Sequence, residues 1–248
     1  MIIIRSRSEI EKIRKSCQIA ALVLKELGRS IRPGIKLIQI ENLAVELMRS
    51  YGCVSAFKGY NGFPAHICVS VNDVVVHGIP NGQSLKEGDI VSIDVGVSKD
   101  GYFGDVAETF AVGRISSEDD RLIRVTKESL ASGIDCAREK NHLSDVSHAV
   151  ETKVNAAGFS VVRDFVGHGI GQDLHEDPQI PNFGEPHKGP VLKCGMVLAI
   201  EPMVNKGTWR IKIDKDKWTA RTRDGQNSAH FESTIAITEN GPEVLTVV

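Results

Sequence analysis

Nothing in the 248 residues approaches a membrane-length apolar run. A spanning helix needs roughly 18 to 20 consecutive apolar residues, and the opening MIII meets Arg5 at once. No membrane span or secretory leader is expected, and the chain reads as a soluble cytoplasmic protein. Neither charge is in excess. The 30 Lys plus Arg against 32 Asp plus Glu leave a net charge of −2, and the basic stripe that drives non-specific nucleic-acid binding is missing. Cysteine is scarce and unpaired. Cys17, Cys53, Cys68, Cys136 and Cys194 are odd in number, widely spaced and form no CxxC. That excludes a disulfide framework or a thiolate metal site and fits reduced thiols used as small apolar groups. No low-complexity linker interrupts the chain, so residues 1–248 are expected to share one core.

With 41% apolar residues the chain can bury a sizeable core. Ile10, Ile13, Cys17, Ala20, Ala21, Leu24 and Leu27 recur at helical spacing within residues 8–29, with Ser8 in N-cap position and Glu11 three residues on. Arg32-Pro33-Gly34 ends that helix. A second, about 36–50, stops before Gly52. Residues 66–76 read as a β segment, and 90–95 and 103–112 as two strands around Lys99-Asp100-Gly101. After Gly113 the order returns, with helices over 117–137 and 143–157, then more strands.

The letters repeat as well. LKEGDIVSIDVG at 85–96 aligns with LKCGMVLAIEPM at 192–203, placing Asp94 on Glu201. GDVAETFAV at 104–112 aligns with FESTIAITE at 231–239, placing Asp105 on Glu232. An internal duplication is inferred, about 5–113 against 114–248. Two helices followed by antiparallel strands in each half imply an α+β fold, one curved sheet with helices on its outer face.

Asp94 and Asp105 lie across a probable hairpin. They face each other directly if the turn centres on Lys99-Asp100, or sit offset by two on one face if it centres on Asp100-Gly101. Partly buried like charges need a shared proton, a cationic partner or a metal. Glu201 and Glu232 repeat the problem, and no Arg or Lys lies in these strand segments. Divalent cations are the economical answer. Four carboxylates with at least one imidazole suit hard or borderline ions such as Mn, Fe(II), Co or Zn. Two such ions can activate water and polarise a carbonyl, so hydrolysis is the natural reaction.

The stretch VGHGIGQDLHEDPQIPNFG (166–184) supplies imidazoles. Its glycines lack the GxGxxG spacing and no GK[ST] follows, so the dinucleotide and P-loop readings fail; HExxH is also absent. His168 between two glycines sits on backbone that can approach a site closely, which suits a ligand.

The order Asp94, Asp105, His168, Glu201, Glu232, with flanks DVG, GD, GHGIG, AIEPM and FE-T, resembles the methionine aminopeptidases of the bacterial type I class, whose fold is the pseudo-twofold pita bread. The likeness runs from IIIRSRSEIEKIRKS through FKGYNGFP, ICVSVNDVVVHGIP and DKWTARTRDG to ITENG. It implies that Asp94 chelates one of two metal ions, that Asp105 and Glu232 bridge both, and that His168 and Glu201 complete the second site. Glu201 would also be the general acid/base. His77 and His175 match substrate-side histidines that stabilise the tetrahedral intermediate, and Tyr60, Phe63, Cys68 and Trp218 match the wall of the methionine pocket.

The implied activity is removal of the initiator methionine from nascent polypeptides by a monomer with two divalent ions (Co, Mn, Fe or Zn), favouring small second residues and working close to the ribosome. Three positions depart from the pattern. Ser233 stands for the usual His, His230 for a common Gln, and Leu174 for a common aromatic. A catalytically silent peptide-binding paralogue is the alternative.

Overall fold

A computed structural model describes residues 1–248. Four helices, α1 (Arg7–Ser30), α2 (Leu37–Ser50), α3 (Ser117–Cys136) and α4 (Leu143–Ala156), come as two pairs, each followed by strands. After the first pair run β1 (Val54–Ser55), β2 (Cys68–Val71), β3 (Val74–Val76), β4 (Ile90–Lys99) and β5 (Tyr102–Ala111). After the second run β6 (Ser160–Val161), β7 (Gly167–Gly169), β8 (Glu176–Ile180), β9 (Val197–Ile200), β10 (Met203–Asn205), β11 (Ile211–Ile213), β12 (Ala220–Thr222), β13 (Ser228–His230), β14 (Glu232–Thr238) and β15 (Gly241–Val244). None of the helices is long and apolar enough to cross a membrane.

The main sheet is antiparallel and runs β1-β4-β5-β14-β9-β7-β8, with β2 also on β4 and β15 on β14. Two small sheets, β13-β10-β6 and β11-β12-β3, flank it. The alignment of 85–96 with 192–203 makes β9 the counterpart of β4, and that of 104–112 with 231–239 makes β14 the counterpart of β5. The central order β4-β5-β14-β9 is therefore a palindrome about the β5–β14 pair.

Period-two alternation decides which side chains meet the helices. Val91, Ile93, Val95 and Val97 of β4 pack with Val23, Leu24 and Leu27 of α1 and Ile40 and Ala44 of α2. On the other half, Leu198, Ile200, Ile235 and Ile237 pack with Leu130 of α3 and Leu143 and Val146 of α4. Each such side chain contributes about 1.5–3 kcal/mol on burial. The same alternation sends Ser92, Asp94 and Gly96 to the opposite face, where the polar groups collect.

Local signals were mostly, not wholly, well placed. The capping box of α1 is formed by Ser6 and Glu9, two residues before the expected Ser8 and Glu11: the Ser6 N–H donates to Glu9 Oε2 at 2.9 Å. Ser8 and Glu11 have the same spacing, so the motif alone could not choose its register. The single β segment expected over 66–76 is two strands, split where Asn72 turns the chain at a φ of +55°. All five cysteines are free, and Cys17, Cys53 and Cys68 are buried.

Candidate metal centre

β4 and β5 pair Lys99 with Tyr102, so the turn is Asp100-Gly101 and Asp94 lies opposite Ala107 while Asp105 lies opposite Gly96. This is the offset-by-two arrangement, with both carboxylates on one face. β14 places Glu232 opposite the same Ala107. One row across three strands thus reads Asp94, Ala107, Glu232. In the next row Thr234 faces Ala199, which faces His168. Glu201, two residues beyond Ala199, emerges on the same side just past the end of β9.

The donors converge. Atoms of Asp105, His168 and Glu232 lie within 4.8 Å of one another. His168 Nε2 stands 3.5 Å from Glu201 Oε1. His168 Nδ1 is 2.9 Å from the Gly169 carbonyl; donation there leaves the Nε2 lone pair free for a cation. Asp105, His168 and Glu232 are buried. The backbone of Asp105 is gripped by Thr234, whose Oγ1 donates to its carbonyl at 2.8 Å. The Asn182 amide donates to the Glu201 carbonyl at 3.1 Å, fixing the end of β9.

Electrostatics say what this set requires. Burial, then mutual repulsion, holds Asp94, Glu201 and Glu232 well above the usual carboxylate range, and burial raises Asp105 as well. Burial pushes His168 down to about 3 and His77 to about 4, so both are neutral. Two acceptors, Asp94 Oδ1 and Glu232 Oε1, are sealed from solvent and lack any hydrogen-bond partner. No Lys or Arg lines the cavity. Four clustered acidic side chains, two of them with orphaned oxygens, and a neutral imidazole fit divalent cations, which compensate buried carboxylates directly.

All eleven residues singled out from the sequence line one cavity of about 230 Å³. One end is the donor cluster. The other is a wall in which Phe63 meets Trp218 edge to face at 5.2 Å between centroids, with Tyr60 at the mouth. Cys68 is paired with Asp94 across the β2–β4 ladder, at the junction of the two ends. His175 stands at the rim, bonded through Nδ1 to the Tyr60 hydroxyl at 2.7 Å, its ring centroid 4.3 Å from that of His168. His77, held at a φ of +59°, packs against Phe165 and Trp218.

Three further lining residues, Phe57, Asn61 and Leu174, were assigned no site role from the sequence. Phe57 could have been found through Gly96, since a side chain at 96 would strike the Phe57 ring. The glycines around His168 have a different task from the one expected. A Cβ on Gly167 would meet the Ala199 carbonyl and one on Gly169 the Asp177 carbonyl, so they allow close strand packing on both flanks of the histidine. Two of the three departures are placed as follows. Ser233 sits in the ladder between Val106 and Ile200. His230 is buried with Nε2 unpartnered, 3.8 Å from Glu201 Oε2.

The model of "Metallopeptidase family M24" matches residues 11–239. The chain is 51% identical to "Methionine aminopeptidase" of Clostridium perfringens over the whole of both chains. It is 52% identical to "Methionine aminopeptidase 1" of Bacillus subtilis, again over the whole of both. The crystal structure of methionine aminopeptidase from Thermotoga maritima superposes with a TM-score of 0.99 at 48% identity, covering 100% of each chain. The pita-bread fold read from the sequence is the fold of these relatives. The chain belongs to metallopeptidase family M24, in its methionine aminopeptidase branch.

Proposed function

We propose that this chain removes the N-terminal methionine of nascent polypeptides by hydrolysing the first peptide bond, and that residues 1–248, halves 5–113 and 114–248 together, form one catalytic domain. The observation that carries this reading is a single cavity with a carboxylate and imidazole cluster at one end and an aromatic wall at the other. Its volume of about 230 Å³ falls below the roughly 300–1,000 Å³ of drug-sized pockets. It suits one terminal side chain rather than an extended peptide. The close relatives named above carry the same activity in their names.

Asp94, Asp105, His168, Glu201 and Glu232 would hold two divalent ions of the Co, Mn, Fe or Zn type. Bound there, the ions supply Lewis acidity toward a carbonyl and lower the pKa of water. Glu201 takes the proton of the attacking water and delivers it to the leaving amine. Neutral His77 and His175 donate to the developing oxyanion from the rim. Phe63, Trp218, Tyr60 and Cys68 enclose the methionine side chain and exclude water from it. The restricted mouth favours small second residues. A cytoplasmic monomer acting on chains as they leave the ribosome fits the same reading.

Release of Met from Met-Ala-Ser with added Co(II) or Mn(II) tests it. Turnover lost in Asp94→Ala is expected. A wild-type chain that takes up no divalent ions and stays inert with every metal would instead favour the silent paralogue, and preference for Ala-Pro peptides would favour a prolidase-like substrate.

A further inference from the structure

The N-terminal segment reaches the rim of the site through a buried ion pair. Arg5 and Glu176 have side chains 3% and 8% exposed, and one guanidinium nitrogen, Nη2, contacts both carboxylate oxygens, Oε2 at 2.5 Å. Glu176 Oε1 is also the acceptor for the backbone N–H groups of Gln172 at 2.9 Å and Asp173 at 3.1 Å. That one carboxylate therefore closes the turn carrying Leu174 and His175. Arg5 is itself anchored, its N–H donating to the Gly195 carbonyl at 2.8 Å. The guanidinium lies against Gly171, where any side chain would collide with it. From the far side the Phe103 N–H donates to the Gly171 carbonyl at 2.8 Å. Met1 adds an ion pair from its α-amine to Asp177.

We propose that Arg5 is a positioning residue for His175, acting through Glu176. Without the guanidinium, a buried carboxylate is left to two backbone donors, and the turn presenting His175 loses the fixed floor on which it stands. None of the five proposed metal ligands touches this pair, so its loss should leave metal binding alone. The idea rests on the reading of His175 as a group that meets the scissile peptide.

The test uses the full chain loaded with Mn(II), comparing Arg5→Met, Arg5→Lys, Glu176→Gln and the Arg5→Met/Glu176→Gln double variant. With Met-Ala-Ser, kcat is expected to fall about tenfold or more in Arg5→Met with KM changed less than about threefold, the signature of an interaction lost in the transition state. The double variant should be no worse than the poorer single one, because both act on one element. Ethylguanidinium added to Arg5→Ala should restore part of kcat. Calorimetric Mn(II) affinity should stay within about twofold of wild type. Unchanged kcat in Arg5→Met and Arg5→Lys, or metal affinity that drops in step with kcat in every variant, overturns the proposal. A wild-type chain without turnover would defeat the reading of His175 instead. Hydrogen exchange then decides the pinning on its own: amides of 172–176 should exchange at least about tenfold faster in Arg5→Met, and unchanged exchange rejects it.

Discussion

His168 Nε2 and Glu201 Oε1 lie 3.5 Å apart, a neutral imidazole whose other nitrogen meets the Gly169 carbonyl beside a carboxyl that burial holds well above its usual range. The pair is arranged around something it does not itself contain. His168→Ala should weaken divalent-ion binding beyond the roughly 100-fold that loss of a merely supporting group can cost. Isothermal titration with Mn(II) checks it, and an affinity within threefold of wild type would remove His168 from the ligand set.

Metal should stabilise the fold by mass action without being needed to form it, since the helix-facing clusters are apolar and lie on the sheet face opposite the donors. At 100 times the dissociation constant the gain is about 2.7 kcal/mol. For a chain of this size that corresponds to a rise in Tm of about 5–10 °C. A chelated sample should lose activity, keep its circular dichroism and melt lower by that amount.

The metal-free chain should lose stability as pH rises above about 6.5. Asp94, Asp105, Glu201 and Glu232 have folded pKa values raised by burial, Asp105 to about 7. Their contribution is fully present below the unfolded carboxylate range and is lost as pH rises through the folded values. His77, His168 and His230 are depressed by burial to about 4, 3 and 3. Their stabilising share is present above the unfolded value near 6.5 and falls away as pH drops toward those folded values. Between pH 6.5 and 8 only the acids change, so the metal-free Tm should fall. Saturating metal should flatten that limb, and urea melts across pH with and without chelator would show a steady rise instead if the acids are not clustered in solution.

Gly96→Ala should act on substrate rather than metal. The added methyl strikes the ring of Phe57, which lines the apolar end of the cavity. Overpacking costs about 1–3 kcal/mol of stability, and a wall displaced by one methyl should raise KM for Met-Ala-Ser about tenfold. Mn(II) affinity should be unchanged; an effect on metal with none on KM would contradict the assignment of Phe57 to the pocket.

The convergence of the four carboxylates on one cavity was legible in the sequence because acidic residues, unusual in or beside apolar strand-like runs, recur in register in the two halves. The fold was legible for the related reason that each half repeats helix, helix, strand. Two things were not. Register around Asp100-Gly101 stayed open until the ladder paired Lys99 with Tyr102, because either turn keeps Asp94 and Asp105 close. The Arg5 to Glu176 pair was invisible because its partners are 171 positions apart and each looks like an ordinary surface charge. Phe57 was missed similarly, being one aromatic among several until Gly96 was found beneath it.

The palindromic order of the central strands has a consequence for assembly. Asp94 and Asp105 come from the first half, while His168, Glu201 and Glu232 come from the second, and in the main sheet the halves join at the β5–β14 seam. A chain with either half unravelled holds two or three donors and no enclosed centre. If these residues hold divalent ions as proposed, ion uptake should report chains in which both halves are folded, and can serve as a titration of the intact molecule in a mixture of native and half-folded chains.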